Sequence, residues 1–170
     1  MDEERFIDFQ IEEIGKIYTE FTEPKGVPIQ PSYEKKHKGK IIIHPEFAKG
    51  LRDLEGFSHV IVLFYFHLSK NTKLEVTPFL DTVLRGIYAT RAPVRPNRIG
   101  LSIVELVSRN DNILNVQGVD MVNGTPLLDL KPYVGGFDVP KFSSEKVRIG
   151  WLTQFVDESG KRMADNRFQK

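Results

Sequence analysis

Cysteine is absent from all 170 residues, which removes disulfides, thiolate metal sites and cysteine nucleophiles together and leaves a chain compatible with a reducing compartment. No sign of charge prevails either. The 24 Lys and Arg nearly cancel the 23 Asp and Glu, so the chain is no polycation that coats nucleic acid indiscriminately, and any such contact must come from a local patch. No apolar run reaches membrane-spanning length, and the acidic opening Met1-Asp-Glu-Glu-Arg5 lacks the apolar segment of a secretory signal; the expectation is a cytoplasmic protein without a membrane partner. A glycine-rich phosphate-cradling turn is also missing, because Gly135-Gly136 is isolated and the basic run Lys35 to Lys40 lacks the required glycine spacing. His44, His59 and His67 have no metal-ligating spacing, so no metal is expected.

The residues that are present describe short strands joined by loops. With 40% hydrophobic content the length suits one domain, residues 1–170, with its core over about 9–140 and a C-terminal extension over 141–170. Phe9 to Tyr18 carries strand-type residues broken by Gly15, and Gly39 to His44 reads as a second strand. Between them Pro24, Gly26, Pro28 and Pro31 exclude helix and central strand and predict an extended loop near a functional surface. Pro45 to Leu54 reads as a short helix with Phe47, Leu51 and Leu54 on one face, since proline suits a first helical turn.

Ser58 to His67 is apolar almost throughout, as in a strand buried on both faces. Residues 71–85 are mixed. Ile99 to Ser108 and Asn112 to Val119 predict a hairpin around Arg109-Asn-Asp111, and Asn123-Gly124 predicts a type I′ turn between two further strands. Strands that follow one another without helical crossovers favour an antiparallel barrel or sandwich. Phe142 to Phe155 predicts one more strand with Trp151 and Phe155 packed, and the charged stretch Asp157 to Lys170 is expected to fray.

Tyr88 to Ser102 is the most informative stretch. Pro93 and Pro96 stiffen a loop that carries Arg91, Arg95 and Arg98, and a stiff loop of arginine forks suits a carboxylate or phosphate. Composition alone leaves a structural ion network equally open. The opening Tyr88-Ala-Thr-Arg91 and the following Arg95-Pro-Asn-Arg98-Ile-Gly100-Leu-Ser102 resemble the signature of the S-adenosylmethionine-dependent methyltransferases that act on N6-threonylcarbamoyladenosine in tRNA. Arg98 stands where that signature carries proline. His44-Pro45-Glu46-Phe47 with Gly50 to His59 resembles the family's central segment, and Val119 to Tyr133 resembles its other signature.

The resemblance implies a mainly β fold, a single small antiparallel β-barrel with a few short helices and long loops. It also implies S-adenosyl-L-methionine as cofactor, a tRNA anticodon loop as partner, and a homodimer with the cofactor pocket near the subunit boundary. Carried over residue by residue, cofactor contacts fall on Pro28, Ile29 and Gln30, on His67 and Leu68, on Arg91 and Leu101, and on Asp129, Leu130, Lys131 and Pro132. Ile29 and Leu68 differ in type from the family, which implies main-chain contacts there. Asp129, His67 and Tyr133 are the candidate bases, with water as an alternative. Asp129 and Lys131 share a strand face, which a plain surface ion pair would also explain.

Lys35, Lys36, Lys38, Lys40 and Arg95 are the candidate RNA contacts, with a solvated loop and loop ordering as their structural alternatives. Tyr88 and Tyr133 are candidates to stack on an exposed base or to belong to the core. A different class of reading also stays open: a non-catalytic β-barrel that binds RNA or a nucleotide in translation.

Overall fold

The computed structural model describes residues 10–31, 37–139, 148–155 and 161–169. Strands β1 (Gly15–Thr19), β2 (Lys38–Ile43), β3 (His59–Tyr65), β4 (Glu75–Val76), β5 (Arg85–Gly86), β6 (Ile99–Asn110), β7 (Ile113–Gln117) and β8 (Thr125–Pro132) are followed by a short helix α1 (Gly135–Asp138). Six of these strands close into an antiparallel barrel in the order β1-β2-β7-β6-β3-β8, while β4 and β5 pair as a separate ribbon. Closure leaves this sheet without an open edge.

Alternation explains how the barrel fills. Ile17, Ile41, Val60, Val62, Val104, Leu114, Val116 and Leu127 point inward and are almost fully buried, while their strand neighbours point out. β3 departs from the sequence-based expectation of burial on both faces. Val60, Val62 and Phe64 are buried, but His59, Ile61, Leu63 and Tyr65 are only partly covered, because a single-layer barrel has no helix over its outer wall.

β1 starts at Gly15 and not at Phe9. A Cβ at Gly15 would overlap the Ile42 carbonyl oxygen, so the glycine permits close strand approach. Pro45 to Leu54 is not one α-helix: Pro45–Leu51 and Leu54–Gly56 are 3-10 turns, separated by Asp53 in the left-handed region at φ 67°. Phe47, Leu51 and Leu54 nevertheless all pack on the core, as the apolar spacing predicts.

The β6–β7 hairpin turns where expected, with Asp111 at φ 53° and its carbonyl accepting from Arg109 Nε at 3.0 Å. Asn123-Gly124 makes a turn but not a type I′ hairpin. Only Gly124 has positive φ, and β8 pairs with β1 and β3 and not with the preceding β7. The expected final strand is also replaced: within the described part of that segment Gly150–Gln154 is a 3-10 turn, and the Trp151 indole donates to the Ala89 carbonyl at 2.8 Å.

Residues 161–169 of the charged C-terminal stretch are docked. Gly26 N–H donates to the Ala164 carbonyl at 2.9 Å, Ala164 N–H returns to Val27 at 2.7 Å, and Ile29 N–H donates to Arg162 at 3.1 Å. Backbone pairing with the proline-rich loop therefore holds this stretch, and Phe168 adds an apolar anchor against Phe79 and the small core of Val76, Ile87, Ala92 and Val94. The charge pattern could not disclose either contact. Among the described residues no helix is long and apolar enough to cross a membrane.

Arg98 sits at φ 43°, with its N–H donating to the Arg95 carbonyl at 3.2 Å. Proline can adopt neither that φ nor that hydrogen bond, so the loop differs here from one that a proline would shape. Arg98→Pro is accordingly expected to lower unfolding stability by about 1–3 kcal/mol or more, read from the midpoint of chemical denaturation. An unchanged midpoint would show that the loop relaxes freely.

Candidate functional site

Strand ends build one mouth of the barrel. β3 and β1 finish there and β6 and β8 begin there, so the segment after β3, the signature loop before β6 and the β7–β8 linker converge. Ala92 and Val94 bury into the small side core, which leaves Arg91 exposed between them and the cavity. Arg91 Nη1 donates to Gln30 Oε1 at 2.8 Å, tying the signature loop to the proline-rich loop. Arg95 is spent differently: its Nη1 donates to the Thr90 and Ala92 carbonyls at 3.1 and 3.3 Å, which fixes the loop's own backbone.

The mouth holds a cavity of about 340 Å³. Pro28, Ile29, Gln30, His67, Leu68, Arg91 and Leu101 all line it, although they come from separate stretches of sequence. Its walls are mainly apolar, with Phe64 edge-on to Phe66 at 5.2 Å. Such a cavity, with few convergent polar groups, is what a small-molecule site requires. Gly100 permits it. A Cβ at that position would overlap the Phe64 ring.

Burial pushes the His67 imidazole below its ordinary value, against the opposing effect of the Tyr65 backbone contact, so His67 is mainly neutral near pH 7. Asp120 and Ser102 also line the cavity, and sequence reasoning gave neither a role. Ser102 Oγ donates to Asp120 Oδ1 at 2.6 Å. Burial lifts the Asp120 carboxyl to about 7, with the Ser102 hydrogen bond working against the rise. The signal in sequence was a lone acid between two core residues, Val119 and Met121.

The remaining carried-over positions lie elsewhere in the chain. Asp129, Leu130, Lys131 and Pro132 do not line the cavity. On β8 they run opposite Leu63, Val62, Ile61 and Val60, back toward the far end of the barrel. Asp129 and Lys131 form an ion pair at 2.6 Å on the outer wall, and Leu130 turns toward the core. Tyr133 reaches the far end, edge-on to His59 at 6.3 Å.

A second cavity, of about 510 Å³, adjoins the first through Ile29, Gln30 and Arg91 and is lined by Tyr88, Thr90 and Trp151. Tyr88 is 76% exposed, which removes the core alternative for that ring. Lys38 and Lys40 are exposed on β2 beside Tyr18, whereas Lys35 and Lys36 lie outside the described residues. Among the described residues no cluster of three or more His, Cys, Asp or Glu could hold a metal ion.

Residues 16–139 match the family model described as the tRNA-methyltransferase O N-terminal domain. A Pyrococcus abyssi protein described as a probable S-adenosyl-L-methionine-binding protein is 50% identical over 155 residues, covering 91% of this chain and 82% of its own. The tRNA (adenine(37)-N6)-methyltransferase of Escherichia coli K12 is 40% identical over 136 residues, which are 74% of this chain and 58% of that one. A crystal structure of TrmO from Pseudomonas aeruginosa superposes with a TM-score of 0.70 at 34% identity, covering 85% of this chain and 62% of that one. The chain thus spans less than two thirds of those two longer relatives. With matched residues running from the first barrel strand past the last, the chain belongs to the tRNA-methyltransferase O N-terminal domain family.

Proposed function

We propose that this protein is a methyltransferase that moves a methyl group from S-adenosylmethionine to N6 of threonylcarbamoyladenosine beside the anticodon of tRNA. The observation that carries the reading is the convergence of Pro28, Ile29, Gln30, His67, Leu68, Arg91 and Leu101 on one cavity of the barrel mouth. Its donor set suits the cofactor, with apolar walls for an adenine ring and an arginine fork for a carboxylate. When bound, S-adenosylmethionine supplies an electrophilic methyl group. The chain's own part is to align the reactants, exclude water and receive the acceptor proton, since such a displacement gains most from positioning.

His67, mainly uncharged near pH 7 and at the cavity wall, is the candidate proton acceptor among those considered; Asp129 and Tyr133 of the same chain are outside the cavity. The second cavity receives the adenosine, so that Arg91 and Gln30 stand between cofactor and acceptor. Lys38 and Lys40 meet backbone phosphates. Tyr88→Ala is expected to weaken tRNA binding by about 1–3 kcal/mol through lost stacking while leaving cofactor affinity unchanged. Equal tRNA affinity in filter binding would remove the ring from the acceptor site.

The site is completed by a second copy of the chain. Supporting this, Ile61 and Leu63 on β3 and Ile99, Leu101 and Ile103 on β6 form an apolar outer wall, in register with Asp129 and Lys131 on β8. Leu101 belongs to both this wall and the cavity, and a twofold packing of the wall on itself brings the partner's β8 end toward it. Asp129, Leu130, Lys131 and Pro132 then act across the boundary.

Methyl transfer from labelled cofactor into total tRNA, followed by nucleoside analysis, tests the activity. Label in methylated threonylcarbamoyladenosine is expected. Cofactor binding without label in any nucleoside would instead leave a binding module.

A further inference from the structure

The carboxyl of Asp120 has no part in the reading above. It lies in the linker between β7 and β8, and burial of Val119 and Met121 in the barrel core pins that linker across the mouth. One oxygen accepts the Ser102 hydroxyl, and the residue faces the same cavity as Arg91. Among the described residues no ion pair reaches Asp120, and Arg91 acts on it only at longer range. A half-buried carboxyl without a cation is costly to keep ionised. The cost is recovered when a ligand brings the missing positive charge.

We propose that Asp120 binds the α-ammonium of S-adenosylmethionine while Arg91 binds the carboxylate on the same carbon, with Ser102 as the positioning residue that orients the Asp120 carboxyl. This rests on the cofactor reading above. An amino-acid end carries opposite charges on one carbon, so it needs an anion and a cation that face one cavity, and Arg91 and Asp120 are that pair here. The other carboxyl of the cavity wall, Asp165, is already held by Arg167 at 2.7 Å. Asp120 is therefore the uncommitted anion of the wall.

The assignment couples binding to a proton. A carboxyl near 7 is largely protonated at pH 6, and the ammonium binds its ionised form, so binding releases a proton below pH 7 and progressively less above it. The charged and titratable groups that share the wall are Arg91, Arg95, His67 and Asp165. Asp165 is held below the ordinary carboxylate range by Arg167, and burial holds His67 below its own ordinary value, so the part of the change that belongs to Asp120 is the part that Asp120→Asn removes. The cofactor's ammonium, with an ordinary α-amino value of about 7.7–8.0, stays protonated there.

Calorimetric titration of the wild-type protein with S-adenosylmethionine, in buffers of different ionisation enthalpy, tests this directly. Affinity is expected to rise about fivefold from pH 6 to 7, with net proton release that Asp120→Asn abolishes. In the variant, S-adenosylhomocysteine should weaken as much as S-adenosylmethionine, by about tenfold or more, whereas 5′-methylthioadenosine, which lacks the amino-acid end, should bind as before. Weakening of S-adenosylmethionine alone would move Asp120 to the sulfonium and overturn the assignment. Equal weakening of all three ligands, or no change in any, would overturn it as well. Proton linkage is read on the unaltered protein, so a variant that fails to fold leaves a decisive result. A folded wild-type protein that binds no S-adenosylmethionine would overturn the cofactor reading itself, whereas binding without proton release would overturn only the role of Asp120.

Discussion

Arg91→Ala is expected to weaken S-adenosylmethionine binding by about 1.5–3 kcal/mol, or about ten- to over a hundredfold in Kd, the range for a hydrogen bond to a charged group. Arg91→Lys should recover little, because the guanidinium already spends one nitrogen on Gln30 and needs its remaining donors for the ligand, a division that a single ammonium cannot copy. The same variant also tests the shared site. Arg91→Ala and Asp129→Asn are each expected to be nearly inactive alone, yet a mixture that exchanges subunits should regain about a quarter of wild-type methyl transfer. Half of the randomly formed dimers then pair the two defects, and each of these has one intact site. No recovery despite verified exchange would place Asp129 and Arg91 in separate roles.

Gly100→Ala should cost about 1–3 kcal/mol of unfolding stability, because its Cβ would overlap the Phe64 ring, whose packing in the mouth leaves little room to yield. Phe64 also lines the cavity, so cofactor affinity should fall with stability. Combining the change with Phe64→Leu should return part of both losses, and the double-mutant cycle measures the coupling. Additive effects would show that the overlap is relieved elsewhere.

How much of this could be read from sequence depended on whether the cause was local. The β6–β7 turn is local: Asp111 tolerates positive φ, the flanking residues alternate, and the hairpin forms where the pattern predicts. Arg91 and Leu101, which the resemblance in residues 88–102 gives as cofactor contacts, both line the cavity. Burial on the outer wall of β3 was not local, since Ile61 and Leu63 look like core residues whichever way they face. Docking of the C-terminal stretch depends on backbone pairing with residues 26–29, more than a hundred positions away, and no side-chain pattern announces it. Asp120 was hidden for a third reason. A single acid in a signature looks like a surface charge until Ser102, brought in from β6, is seen beside it.

Trp151 is the only tryptophan in the chain, and it stands on the wall of the second cavity with its indole held by Ala89 and the Arg85 guanidinium 5.7 Å from its ring. Intrinsic fluorescence excited at the indole band therefore reports from that wall and from no other tryptophan. Because this residue lines the proposed acceptor cavity and not the cofactor cavity, stopped-flow emission offers a way to time the arrival of an RNA base separately from the cofactor, without attaching a dye.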